Sequence, residues 1–176
     1  MRCFLAIEVT HEIVRVATAV QKELAKIDGL KAKMVEPENM HITLKFFGEL
    51  DEEKLNEIRS KLEQAGLLSC YISFSKVGCF PNIRHPRVVW IGAAGQEPLL
   101  KKLEHVLGKV DKPHLTLARV RFLPKASQPA FSELIAKNQH DFGSVAVKEV
   151  KMKKSVLTPK GPIYSDLFTI RLAETG

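Results

Sequence analysis

The sequence predicts an α+β fold in which two similar halves are related by a pseudo-two-fold axis. Short segments with an apolar residue at every second position, typical of half-buried strands, alternate with segments of helical period. The order strand, helix, strand, helix, strand then begins again near residue 86. So long a repeat indicates two lobes and not a solenoid. We therefore expect a bilobal duplication, with antiparallel sheets lining a central cleft and helices outside.

Each repeat contains three predicted strands and two predicted helices, and a seventh predicted strand closes the chain. Strands are predicted over residues 2–9, 41–47, 71–77, 88–91, 114–120, 145–150 and 164–172. Helices are predicted to begin near residues 10, 51, 98 and 127, and Thr10 and Asp51 can cap the first two. The repeats then cover roughly residues 1–80 and 86–172 of a single domain that spans residues 1–176.

Length and composition fit one globular unit that does not enter a membrane. The chain has 176 residues, of which 45% are hydrophobic. No run approaches the ~18 consecutive apolar residues of a membrane span, and residues 3–7 are followed by Glu8 without the long apolar core of a signal peptide. We expect a cytoplasmic monomer. The three cysteines fit neither a disulfide framework nor a zinc site and are expected to act as small buried hydrophobes.

The charge favours a polyanionic partner. With 27 Lys and Arg against 20 Asp and Glu, the formal net charge is +7, which suits attraction to the phosphates of nucleic acid. The basic run over residues 148–154 has two interpretations. A solvated strand edge protected by lysines is favoured over a track for phosphates.

Two of the six histidines share a sequence context. Both His41-Ile-Thr-Leu and His114-Leu-Thr-Leu lie on predicted strands, at corresponding points of the repeat. Residues two apart on a strand point to the same face, so each histidine shares a face with its threonine, Thr43 or Thr116. A two-fold arrangement of the halves brings all four side chains to one groove.

A pair of imidazoles suits the opening of a cyclic phosphodiester. That reaction needs a base to activate water and an acid to protonate the departing alkoxide, and imidazole titrates near neutrality. A threonine hydroxyl can donate a hydrogen bond to a phosphate oxygen. We expect neither a metal nor a cofactor, because no third metal ligand lies at a coordinating spacing beside either histidine.

Other candidates near the motifs depend on strand geometry. Arg119 lies five residues after His114, so it can face the substrate only if a bulge or strand end changes the alternation. Lys45 lies four residues after His41 and faces the cleft if that strand is regular. The rings of Phe46, Phe47, Phe80 and Trp90 are expected in the core, with base stacking as the alternative for the three phenylalanines.

The duplicated motif resembles that of the two-histidine (2H) phosphoesterase superfamily, and several strings resemble its LigT-like RNA 2′,3′-cyclic phosphodiesterase branch. The resemblance covers essentially the whole chain. The strings are HITLKFFG from residue 41, PRVVWIG from residue 86, PHLTLAR from residue 113, the segment from Ser155 through Gly161 to Tyr164, and RCFLAI from residue 2.

The resemblance implies hydrolysis of an RNA 2′,3′-cyclic phosphate to a 2′-phosphomonoester, with His41 as proton donor and His114 as proton acceptor. It also implies 2′-5′ RNA ligase activity on RNA ends such as tRNA halves. Two alternatives remain open at this point. A non-catalytic RNA-binding module on the same fold would not need both histidines, and a metal-dependent hydrolase would need further ligands.

Overall fold

The protein consists of nine strands and four α-helices within residues 1–175, the part of the chain that the computed structural model describes. The strands are β1 Arg2–Glu8, β2 Lys31–Met34, β3 His41–Glu49, β4 Cys70–Phe80, β5 Val88–Ala94, β6 His114–Phe122, β7 Asp141–Val147, β8 Glu149–Thr158 and β9 Gly161–Arg171. The helices are α1 His11–Ala25, α2 Glu52–Gln64, α3 Glu97–Leu107 and α4 Gln128–Lys137. None of these helices is long and apolar enough to cross a membrane.

All nine strands belong to one antiparallel sheet. Its order is β7-β4-β5-β6-β3-β1-β8-β9. β2 pairs with residues 118–122 of β6, which form the outer end of that strand. The two central strands, β3 and β6, pair through Ile42 and Leu115 alone. Helices α1 and α4 pack on the half that contains β4, β6 and β7, whereas α2 packs on β9 and against α3. The predicted α+β fold, with antiparallel strands lining a cleft and helices outside, is confirmed, although the two expected sheets are joined into one.

Each half of the sheet contains strands from both halves of the sequence. β4 ends the first repeat in sequence but pairs with β5 and β7 of the second. β8 belongs to the second repeat in sequence but pairs with β1 of the first. The sheet therefore does not divide at the boundary expected between residues 80 and 86. Sequence order alone does not reveal this exchange, because a strand at the end of a repeat can pair with either half.

The basic run at residues 148–154 lies inside the sheet, so its interpretation as a strand edge is wrong. β8 has β1 on one side and β9 on the other. The ammonium group of Lys153 is buried and donates to Glu8 and Asp166, each at 2.7 Å. Lys151 joins the same two carboxylates at 2.9 and 3.2 Å. Lysine enters a protein interior when it is paired, and here the partners come from the two strands that flank β8.

The apolar core runs continuously beneath both halves. Its fully buried members include Leu5 of β1, Phe74 of β4, Leu117 of β6 and Phe131 of α4. The three cysteines are free; Cys3 is fully buried, and the other two are partly buried. One shared core explains why no linker composition separates the repeats.

The helix caps give a first test of the fold. The Asp51 carboxylate accepts a hydrogen bond from the backbone N–H of Lys54 at 2.8 Å, whereas Thr10 makes no side-chain capping bond. We expect Asp51→Ala to lower the free energy of unfolding by about 1 kcal/mol, since it leaves a helix N–H without that acceptor. Urea denaturation measures the change, and Thr10→Ala is the matched control with a smaller loss. An equal loss in both variants would contradict the assignment of the cap.

Candidate active site

The two His-x-Thr motifs lie at the centre of the sheet, where β3 and β6 meet. Ile42 and Leu115, the middle residues of the motifs, pair across the two strands and are fully buried. Neighbouring side chains on a strand point to opposite faces. The histidine and threonine on either side of each buried residue therefore face away from the core and into the cleft.

The antiparallel register also fixes which motif side chains are neighbours. One step along each strand from the Ile42–Leu115 pair, His41 lies beside Thr116 and Thr43 lies beside His114. In a regular antiparallel pair this register makes the two histidines diagonal neighbours, with Cβ atoms about 7–8 Å apart. Two imidazoles at that spacing can reach opposite sides of one small group bound between them.

A cavity of about 790 Å³ opens over this pair of strands. Both histidines and both threonines line it, and so does Arg119. Its remaining wall comes from β2, a 3₁₀ turn at Pro37–Asn39 and the tip of the β8–β9 hairpin. The structure thus brings together all the predicted site residues except Lys45.

His41 is held on three sides. Its Nδ1 donates a hydrogen bond to the backbone carbonyl of Asn39 at 2.6 Å, and its Nε2 lies 3.0 Å from the hydroxyl of Thr43. The rings of Phe4 and Tyr164 pack against the imidazole with centroids at 5.0 and 5.3 Å. A carbonyl only accepts, so Nδ1 carries a proton in either charge state and Nε2 is the nitrogen that can exchange one.

His114 repeats this arrangement. Its Nδ1 donates to the backbone carbonyl of Lys112 at 2.9 Å, again two residues before the histidine. The ring of Phe80 packs edge-on against the His114 imidazole, with centroids 5.2 Å apart. The Trp90 ring lies farther from the imidazole, with centroids 6.5 Å apart. The two histidines therefore have the same tautomer in their neutral forms, with the Nε2 lone pair available for chemistry.

Burial lowers the pKa of both histidines below the ordinary value. For His41, desolvation outweighs the hydrogen bond to Asn39, and the charges of Lys153 and Arg119 lower the pKa further. For His114, desolvation is again the first cause, with a further lowering by Arg119. Both rings therefore favour the neutral form near neutral pH, and a bound anion would move each pKa upward.

Arg119 reaches the cleft through a β-bulge in β6. Thr116 pairs with Trp90, but Ala118 pairs with Val89, so Leu117 is an extra residue. Leu117 and Ala118 are both buried, and the alternation resumes with Arg119 on the cleft face. The bulge that Arg119 required is therefore present.

The bulge is fixed by hydrogen bonds from other elements. The carbonyl of Leu117 accepts from the backbone N–H of Val35 at 2.9 Å and from the Gln21 side chain of α1 at 2.9 Å. Gln21 is itself buried and also donates to the Val35 carbonyl. These bonds hold Arg119 in its direction by supporting the backbone before it.

A matching bulge in β3 removes Lys45 from the cleft, so the expectation for Lys45 is wrong. Leu5 pairs with Lys45 but Ala6 pairs with Thr43, which makes Leu44 the extra residue. The Lys45 ammonium donates to the carbonyl of Lys109, away from the cavity. A regular strand would have put Lys45 on the cleft face, and its composition does not reveal the irregularity.

Phe46 takes the cleft position that Lys45 loses. It is 45% exposed, lines the cavity, and has the guanidinium of Arg2 over its ring at 5.1 Å. Its offset of five residues from His41 equals that of Arg119 from His114. The expectation that Phe46 lies in the core is wrong, whereas Phe80 and Trp90 are partly buried against His114.

The tip of the β8–β9 hairpin closes one side of the cavity. Lys33 of β2 donates to the carbonyl of Lys160 at 2.7 Å, and the Asn39 side chain donates to the carbonyl of Pro162 at 3.3 Å. Sequence reasoning missed these contacts because β2 is only four residues long and the acceptors are backbone atoms.

Within residues 1–175, no three His, Cys, Asp or Glu side chains cluster closely enough to hold a metal ion.

Comparison with known proteins identifies the family. The profile described as "LigT like Phosphoesterase" matches residues 7–90 and 96–164. The chain belongs to this family. A curated relative from Archaeoglobus fulgidus, named RNA 2′,3′-cyclic phosphodiesterase, is 42% identical and aligns over 95% of this chain and 98% of its own length. A relative of the same name from Methanocaldococcus jannaschii is 37% identical, with 93% and 96% covered.

Two solved structures share the fold. The structure of TT0787 from Thermus thermophilus has a TM-score of 0.80 and 27% identity, with all of both chains covered. The apo form of Escherichia coli LigT has a TM-score of 0.75 and 22% identity, with 98% of this chain and 97% of that chain covered. The resemblance to the LigT-like branch that the two motifs predicted is confirmed.

The electrostatics of the two histidines predict their titration. Because burial lowers both pKa values, we expect His41 and His114 in the free protein to titrate below the ordinary histidine value of about 6.5. NMR of the imidazole ring protons measures both midpoints. Inorganic phosphate should raise them, since an anion between the rings stabilises the imidazolium form. A midpoint above the ordinary value without phosphate would contradict this description.

Gly78 permits the aromatic wall beside His114. It pairs with Trp90, and a Cβ on Gly78 would lie 2.3 Å from the indole ring. We expect Gly78→Ala to displace Trp90, to lower the free energy of unfolding by about 1–3 kcal/mol and to reduce turnover through His114. In a Trp90→Leu background, Gly78→Ala should lower the free energy of unfolding by less. A double-mutant cycle of unfolding free energies measures the difference. Equal costs in both backgrounds would contradict the proposed clash.

Proposed function

We propose that this chain hydrolyses RNA 2′,3′-cyclic phosphates to 2′-phosphomonoesters, with His41 as proton donor and His114 as proton acceptor. The observation that carries the proposal is the convergence of two His-x-Thr motifs around one buried residue pair, inside a cavity of substrate size. The relatives named RNA 2′,3′-cyclic phosphodiesterase support the choice of substrate. The division of roles between the histidines follows the family resemblance.

The reaction needs two proton transfers on opposite sides of phosphorus. Neutral His114 accepts a proton from water at Nε2 as the water oxygen bonds to phosphorus. The bond from phosphorus to the 3′ oxygen breaks, and protonated His41 gives its Nε2 proton to that oxygen. The products are a 2′-phosphomonoester and a 3′ hydroxyl, and proton exchange with solvent restores both histidines.

The substrate helps to create the protonated histidine. In the free protein, burial and Arg119 favour neutral rings. A bound phosphodiester carries a negative charge beside both imidazoles, which raises their pKa values. The proposed roles then need the base form at His114 and the acid form at His41, a division that follows the family resemblance.

The remaining cleft residues stabilise charge on the phosphate. The hydroxyls of Thr43 and Thr116 can donate to non-bridging oxygens, and the Arg119 guanidinium supplies a positive charge on the same wall. Each of these groups lies on a sheet strand, which positions it before substrate binds. Two imidazoles and these donors supply the acid, the base and the charge stabilisation, so we propose turnover without a metal or other cofactor.

The same site can join RNA ends if a hydroxyl replaces water. Attack of a 5′ hydroxyl on the cyclic phosphate, with departure of the 3′ oxygen, forms a 2′-5′ bond and needs no nucleotide cofactor. The proton transfers at His41 and His114 are unchanged. We propose this ligation as a secondary activity on paired ends such as tRNA halves, carried out by one monomeric domain spanning residues 1–176.

The two histidines provide the direct test of the proposed function. On an RNA oligonucleotide with a 2′,3′-cyclic phosphate, in EDTA, we expect 2′-phosphate ends and a fall in kcat/KM of about 10²–10⁴-fold for His41→Ala and for His114→Ala. The double variant should be little worse than either, since acid and base act as one unit. Exposed His105→Ala on α3 is the matched control and should retain full activity.

A second substrate separates the two roles. A phosphodiester with a nitrophenolate leaving group needs no proton donor, so it should restore turnover to His41→Ala but not to His114→Ala. Rescue of His114→Ala alone would reverse the roles. Loss of wild-type turnover in EDTA, with recovery on adding zinc or manganese, would contradict metal-free catalysis. RNA binding without turnover by the wild-type protein would favour the binding-module alternative.

A further inference from the structure

The outer end of β6 carries a second irregularity, beyond the one that positions Arg119. Ala32 of β2 pairs with Val120, but Lys31 pairs with Phe122, so Arg121 is an extra residue in β6. Val120 is buried against the core, whereas Arg121 and Phe122 are both exposed. Two consecutive side chains at this bulge therefore lie on the face opposite the core, the face that lines the cleft.

Basic side chains continue along this face from the candidate active site. Lys33 and Arg119 pair across β2 and β6 and both line the cavity. Exposed Lys31 and Arg121 follow at the outer end of the same two strands. Throughout residues 1–175, none of these four side chains forms an ion pair, in contrast to Lys151 and Lys153.

An exposed aromatic ring lies within this basic group. Phe122 is 54% exposed at the end of β6, beside Lys31. The two carboxylates of the cavity wall, Glu36 and Glu38, follow the other end of β2 and so lie away from it. Single-stranded nucleic acid is bound by this combination of positive charges for the backbone and an aromatic face for a base.

We propose that Lys31, Arg121 and Phe122 bind the single-stranded RNA that precedes the terminal cyclic phosphate. We call these three residues, together with Lys33 and Arg119, the β2–β6 track. The direction of the RNA rests on the proposed function, because that puts the cyclic phosphate between the histidines and leads the preceding nucleotides out of the cavity. The track makes an oligonucleotide a better substrate than a nucleoside 2′,3′-cyclic phosphate, which fills the cavity alone.

The track residues outside the cavity allow a selective test. We expect Lys31→Glu, Arg121→Glu and Phe122→Ala each to lower kcat/KM for a short single-stranded oligonucleotide by about tenfold. Opening of a nucleoside 2′,3′-cyclic phosphate should change less than about twofold, because these side chains lie beyond the cavity. The matched controls are Lys102→Glu on α3 and Tyr71→Ala on β4, both exposed and distant from the outer end of β6, and neither rate should change.

Equilibrium binding tests the track independently of turnover. With an oligonucleotide that ends in a 2′-phosphate, fluorescence anisotropy should give a Kd that rises in the three track variants and not in the controls. The slope of log Kd against log salt should fall by about 0.7 for each lost phosphate contact. Equal Kd values in track and control variants would overturn the track, even with full hydrolytic activity. Failure to open either substrate would instead overturn the proposed function, whatever the binding result.

Discussion

The pairing of Ile42 with Leu115 is the contact on which the candidate site depends. It is the one place where β3 and β6 pair within residues 1–175, and it lies in the middle of both motifs. Burial of the two side chains in the shared core turns the histidine and threonine of each motif toward the cleft. A shift of either strand by one residue would bury those polar groups and expose the apolar ones. Burial of polar groups without hydrogen-bond partners would strongly lower the free energy of unfolding. Core packing therefore also determines the position of the two histidines.

Irregular strands, as well as regular ones, decide which side chains the cleft presents. Because of the bulge at Leu44, Phe46 and not Lys45 lies on the cleft face. The bulge at Leu117 places Arg119 on that face. Each is supported from outside its strand: the Leu44 carbonyl accepts from the N–H of Asp111, and the Leu117 carbonyl accepts from Val35. The two halves thus use the same backbone device but place different residues with it. One wall receives an aromatic ring and the other a cation, and this asymmetry suits a substrate that is not itself symmetric.

Much of the fold, and the centre of the site, could be predicted from the sequence because both depend on local periodicity. Alternation along the strands placed His41 and His114 correctly on one face, and the repeat brought them together. The prediction that Lys45 faces the cleft failed because a bulge is an irregularity in the pairing of two strands, which the sequence of one strand does not reveal. β2 was missed because four residues carry too little pattern, and β8 was misread because its lysines find their carboxylates on β1 and β9. The backbone carbonyls that orient both imidazoles could not be found at all, since every residue has one.

The exchange of β4 and β8 between the halves has a consequence for translation. β1 leaves the ribosome before the other strands of the sheet but lacks a neighbour on one side until residues 149–158 have followed. Tyr164, which packs on His41, comes later still. A chain synthesised only to residue 148 can pair β4, β5, β6 and β7 but leaves β1 without β8, and an unpaired strand edge is a site for misassociation. The imidazole of His41 therefore gains its full enclosing wall only after the long-range pairing of β8 and β9 is complete.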